Sequence, residues 1–133
     1  MNLHTLNIWA IAAAALSAFL IGGLWYSPML LGSAWKKANG FAGDGPSAGA
    51  KGFAIAFILS LVMAANLAMF LNAPGTTLAW GATAGFLAGA GWGAAGIGIV
   101  AVFEGRSLGY VLINGGYLTV ALTVMGAILG GWR

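Results

Sequence analysis

Read along the chain, apolar residues fall into four long runs, and almost every charged residue lies in the links between them. The runs cover residues 6–25, 53–71, 78–103 and 108–130. A bilayer core about 30 Å thick is crossed by about 20 apolar residues rising 1.5 Å each, so every run predicts a transmembrane helix. The third, about 39 Å long as a helix, exceeds that thickness and must tilt, bend or protrude. The first run competes with a cleaved signal peptide, since small residues occupy 13–17. No Lys or Arg precedes it, however, and a signal needs a basic leader, which favours a retained helix.

The links predict the remaining elements. In WYSPMLLGSAWKKANG, Ser27 before Pro28 is a helix-start pair: serine can cap free N–H groups, proline suits the first helical turn, and it disfavours helix at the residue before it. A short helix is therefore expected over 28–38. It would lie on the membrane surface, with Leu30, Leu31, Ala34 and Trp35 towards lipid and Lys36 and Lys37 towards anionic headgroups; a continuous kinked helix is the alternative. Residues 40–52 carry Gly, Ala, Ser and Pro without an apolar period and read as a flexible loop, with Asp44 solvated. Thr76 and Ser107 stand where helix caps are wanted, which makes both later links short and their flanking helices antiparallel. The expected fold is all-α: residues 1–133 as a single integral membrane domain, an antiparallel bundle of four transmembrane helices with a short interfacial helix after the first.

Composition places the chain in lipid. It is 61% apolar and 5% charged, against about 25% charged in soluble domains. The net charge of +3 is too sparse for a nucleic-acid partner and reads instead as topology. Lys36, Lys37, Lys51 and Arg106 occupy two links on one side, against Arg133 on the other. The positive-inside rule then puts those links in the cytoplasm and both termini on the outer side. Trp9, Trp25, Tyr26, Trp35, Trp80, Tyr110 and Trp132 cluster near run ends, where amphipathic rings settle at headgroups. There is no cysteine, which excludes disulfide and thiolate chemistry.

Placing the chain in lipid also decides how GATAGFLAGAGWG, residues 81–93, is read. In water its glycines would each cost about 1 kcal/mol in a helix and suggest a linker. In lipid an unstructured backbone would leave polar groups unpaired at several kcal/mol each, so the stretch must be helical. A four-residue step advances 40°, and Gly81, Gly85, Gly89 and Gly93 form a shallow winding groove suited to close helix crossing. The last helix, with Gly126 and Gly130, is the expected occupant, and the flank of Gly91 and Gly98 is left for a second subunit.

Candidate chemistry is sparse. His4, Asp44 and Glu104 cannot supply the three or four convergent ligands of a metal site, and a catalytic triad from His4 and Asp44 would have to join opposite membrane faces. No cofactor and no enzymatic activity are expected. Glu104 ends the third run, and a direct pair with Arg106 requires the helix to stop at Gly105. Within the runs, Asn66 lies at a depth that lets it meet Thr119 or Thr123. Asn114 and Tyr117, three apart, share a face of the last helix. Tyr26, Glu104, Arg106, Asn114 and Tyr117 therefore form a candidate polar pocket on the cytoplasmic side, with interhelical hydrogen bonding as the plain structural alternative.

Two stretches carry a resemblance: LIGGLWYSPMLLGSAWKK, and FEGRSLGYVLINGGYLTVALTVMGAILGGW. Their Trp25-Tyr26-Ser27-Pro28 run, Phe103-Glu104-Gly105-Arg106, Ile113-Asn114 and Gly116-Tyr117 resemble an uncharacterised bacterial family of small four-helix membrane proteins, domain-of-unknown-function family seventeen sixty-one. The resemblance implies an integral protein of the bacterial inner membrane, with no activity or catalytic residues to carry over. The reading that results is a non-enzymatic helix-packing, accessory or oligomeric membrane component, its partners being lipid and either itself or another membrane protein. The alternative is a small oligomeric transporter or channel using the pocket near Glu104 and Asn114.

Overall fold

Asn7 starts the first helix by accepting hydrogen bonds on its side-chain oxygen from the N–H groups of Trp9 and Ala10, at 3.0 and 3.2 Å. These are two of the four donors that a helix start leaves unpaired. In the computed structural model, which describes residues 3–43 and 45–133, α1 then runs over Ile8–Trp25, followed by α2 (Gly32–Asn39), α3 (Gly49–Phe70), α4 (Leu78–Ala88), α5 (Ala95–Glu104) and α6 (Leu108–Gly131). A π-helical segment, Gly89–Ala94, joins α4 to α5 into one 27-residue rod. A single 3-10 turn, Leu3–Thr5, precedes α1. No strand occurs among the described residues, and α1, α3, the α4–α5 rod and α6 are each long and apolar enough to cross a membrane. Asp44 lies outside the described residues.

Several local expectations are corrected. The helix after α1 begins at Gly32 rather than Pro28. Ser27 does not cap it: its hydroxyl donates back to the Leu24 carbonyl at 2.7 Å, while its own carbonyl takes the N–H groups of Leu30 and Gly32. Residues 27–31 are thereby spent in turns, and a side chain at Gly32 would meet the Ser27 backbone at 2.7 Å. Trp35 does not face outwards but packs edge-on against Tyr26 and Phe41, with centroids 5.6 and 5.2 Å apart. The loop after α2 is shorter than 40–52, since α3 already starts at Gly49. Thr77, not Thr76, caps α4, and Thr76 instead donates to the carbonyls of Leu71 and Ala73. Ser107 caps α6 by accepting from Tyr110 N–H.

The packing follows side-chain size. Ala10, Ala14, Ala15 and Ala18 of α1 form a buried stripe against Ala64, Leu67 and Ala68 of α3 and Ala121, Met125 and Leu129 of α6. α6 is the central element, with α1 along one flank and the α4–α5 rod along another, and α3 packs mainly on α1. The α4–α6 approach is the tightest. A Cβ at Gly81 would fall on the Gly126 carbonyl, one at Gly85 on the Leu122 carbonyl, and one at Gly89 within 2.6 Å of Thr119 Cα. Gly126 and Gly130 in turn admit the Gly81 and Thr77 backbones. Such contact gains dispersion and Cα–H···O contacts that larger residues would forbid.

The π segment extends that interface. Its i→i+5 hydrogen bonding, seen where Ala95 N–H reaches the Ala90 carbonyl, makes each residue advance by less than the 100° of an α-helix. Gly93 therefore stays towards α6, where a Cβ would meet the Leu118 side chain at 3.2 Å, and Ala94 seats on Gly115. Trp92 points away, 72% exposed.

Arg133 makes a contact that its use as a topology charge did not anticipate. Its guanidinium donates to the carbonyls of Leu71 and Ala73, at 2.9 and 3.1 Å, just beyond the end of α3. A cation there meets the negative end of the helix dipole. Bonds to a charged donor are worth about 1.5–3 kcal/mol when sheltered, and this site is partly exposed. Arg133→Ala should therefore lower stability by about 1 kcal/mol, read as a reduced unfolding midpoint in mild detergent; an unchanged midpoint would show that the clip holds nothing.

Candidate functional site

The polar groups of α1 and α6 meet near the C-terminal end of α1. Asn114 Nδ2 donates to the Tyr110 carbonyl one turn earlier at 3.0 Å, which leaves Oδ1 free to accept. Tyr26 donates its hydroxyl to that oxygen at 2.6 Å. Burial raises the Tyr26 phenol well above its ordinary pKa, helped by Tyr117 and Tyr110, so it remains a neutral donor at any physiological pH. Tyr117 donates to the Ala18 carbonyl at 2.9 Å, and its ring lies 5.6 Å from that of Tyr26. Gly22 makes this possible, because a Cβ there would press on three Tyr117 ring and hydroxyl atoms at 3.2–3.3 Å. Trp25 adds a fourth tie, its indole N–H donating to the Ile113 carbonyl at 2.8 Å.

Of the five candidate pocket residues, the fold brings Tyr26, Asn114 and Tyr117 together and places Glu104 and Arg106 elsewhere. α5 stops at Glu104 because Gly105 turns left-handed, with φ 69°, a conformation that glycine adopts without strain. That turn lets Glu104 and Arg106 form a 3.6 Å ion pair, both side chains 40–50% exposed. Arg106 also stacks over the Tyr110 ring at 5.3 Å. A surface pair of this kind is worth little, about 0–1 kcal/mol, and steadies a turn. Tyr110 links the two groups through its ring and its carbonyl.

The expected bond from Asn66 to Thr119 or Thr123 does not form. Asn66 is exposed on α3, and both threonines return their hydroxyls to their own helix, at 2.8 and 2.6 Å. Their faces are occupied by Gly85 and Gly89, whose backbones come too close to leave room for a side chain from α3. Sequence reasoning missed Trp25, Ala18 and Gly22. Trp25 reads as a headgroup anchor, a backbone carbonyl leaves no mark in a sequence, and only the four-residue step from Gly22 to Tyr26 hints at a recess. No group of three or more His, Asp or Glu side chains gathers among the described residues.

Neither the curated proteins nor the solved structures contain a match to this chain. A family model does match, over residues 9–130, which takes in all but the outermost residues of the four long apolar helices, and the Tyr26, Asn114 and Tyr117 cluster. The chain belongs to the family described as Protein of unknown function (DUF1761).

Proposed function

We propose that this chain is a non-enzymatic integral membrane component that works by helix packing, assembling with copies of itself or with another membrane protein. In this reading it is an antiparallel bundle of four transmembrane helices, with α2 along the interface. Opposite directions for α1 and α6 agree with Asn7 lying by Trp132 and Tyr26 by Asn114. The links bearing Lys36, Lys37, Lys51 and Arg106 face the cytoplasm of a bacterial inner membrane, and residues 3–7 and 132–133 face outwards. No nucleic acid and no cofactor take part.

One observation carries the packing role: the third span has a covered glycine flank and a bare one. α6 occludes Gly81, Gly85 and Gly89, whereas a Cβ at Gly91 or Gly96 would meet nothing within 4 Å. A helical glycine costs about 1 kcal/mol against alanine, and α6 returns nothing at these two positions. In lipid, small residues favour association by letting backbones approach, so the bare flank suits a second helix. Gly98, expected on the same flank, is partly covered by Val111 at 3.7 Å.

The test is purification from native membranes in a mild detergent or polymer disc, followed by mass measurement. The expected result is a complex heavier than one chain, reduced to single chains by Gly91→Leu with Gly96→Leu while the helical circular dichroism is unchanged. A lone chain from native membranes overturns the proposal.

A further inference from the structure

Between α1 and α3 lies a partly open cavity of about 530 Å3, within the range that holds small ligands. Its origin is plain in the sequence. Phe19 stands edge-on to Phe53 and Phe57, with centroids 6.1 and 5.8 Å apart, and props the helices apart. Beside that prop the cavity is lined by Gly22 and Gly23 of α1 and Gly52 and Ala56 of α3, with Tyr117 closing it over Gly22. A Cβ at Gly23 would meet no atom within 4 Å.

The cavity's hydroxyl groups give it a chemical sense. Three hydroxyl-bearing side chains line it, those of Tyr26, Tyr117 and Ser60. Each hydroxyl has one proton, and each proton is already given away: Tyr26 to Asn114, Tyr117 to the Ala18 carbonyl, and Ser60 to the Ala56 carbonyl at 2.9 Å. The side chains therefore offer the interior lone pairs and no donor. They are also ordered by depth. Tyr26 sits just past the end of α1, whereas Ser60 lies about 16 Å further along from the start of α3, in apolar company with Leu59 and Met63. No charged side chain lines the cavity among the described residues, and a bare charge moved there would go uncompensated.

We infer that the α1–α3 cavity binds a single lipid whose small neutral head donates its one hydroxyl proton to the Tyr117 oxygen and whose chain runs inwards past Phe53 and Met63. Diacylglycerol has this chemistry, with one free hydroxyl beside its acyl chains. The site rests on the bilayer placement proposed above and is independent of any assembly, so loss of the oligomer would not touch it.

The test is native mass spectrometry of the purified chain with dioleoylglycerol, with its methyl ether, which lacks the donor, and with dioleoyl phosphatidic acid. The free alcohol should be retained about tenfold better than the ether, the scale of one well-formed hydrogen bond. Tyr117→Phe should shrink that preference, and Gly23→Leu, which grows into empty space, should reduce retention of both neutral lipids with circular dichroism unchanged. Should Tyr117→Phe fail to fold, Gly23→Leu and the alcohol-to-ether ratio decide alone. Equal retention of alcohol and ether, or full retention by Gly23→Leu, overturns the site. So does tighter retention of phosphatidic acid, because its charge would need a partner that the lining does not supply.

Discussion

Gly85→Leu is expected to be the most damaging single substitution in this chain. Its Cβ alone would fall on the Leu122 carbonyl and within 3.1 Å of Thr123 Cα, and both are helix backbone that cannot swing aside. α4 and α6 would have to separate along several turns, losing the contacts of Gly81 with Gly126 and Gly130 and of Gly89 with Thr119. Overpacking usually costs about 1–3 kcal/mol, and an obstacle made of backbone belongs at or above the top of that range. Unfolding in mixed micelles, followed by circular dichroism, should show the loss. Gly91→Leu is the control, since within one chain it meets open space and should leave the midpoint of the dissociated chain within about 0.5 kcal/mol. Equal effects at the two positions would contradict the close α4–α6 contact.

Met125→Ala should follow, with a loss of about 2–3 kcal/mol. Met125 is 0% exposed and sits where α6 meets α1 and α3. Burial-to-small substitutions in soluble cores cost about 2–5 kcal/mol, part of it from transfer to water and part from the cavity left behind. In a bilayer the transfer part nearly vanishes, because lipid tails are as apolar as the core, and the cavity part remains. The estimate therefore falls in the lower half of the soluble range. Met125→Leu, nearly equal in volume, should cost less than about 1.5 kcal/mol by the same unfolding assay. A large loss with leucine would mean that the thioether itself matters.

The long apolar helices were legible in the sequence because hydropathy over twenty residues is a strong and additive signal. α1, α3 and α6 start or stop within a few residues of the expected bounds, and the third span ends at Glu104 rather than 103. The links were less legible, since each is decided by single hydrogen bonds. Ser27 has the chemistry of a helix cap, and either the amides ahead or the Leu24 carbonyl behind could take it; the turn closed by Gly32 selects the second. Thr76 and Thr77 present the same choice between adjacent residues, and a one-residue difference decides it. In the candidate site, the three-residue spacing puts Asn114 and Tyr117 on one face of α6, where both meet Tyr26. Glu104 and Arg106 were grouped with them by depth alone, and depth does not specify the direction around a helix.

The widened turn at Gly89–Ala94 gives the third span two rotational phases. Before it, α4 keeps one line of glycine towards α6; after it, α5 presents its surface from a shifted angle. A helix of unbroken α geometry could satisfy only one such alignment over 27 residues, because its faces drift steadily around the axis. The extra residue works as a clutch between the two halves, so sequence changes on the α5 side can retune what that half touches without disturbing the α4 seam. Removing one residue from this turn would engage the clutch, rotating the whole of α5 by about 100° and carrying Glu104 and the Gly105 turn around with it.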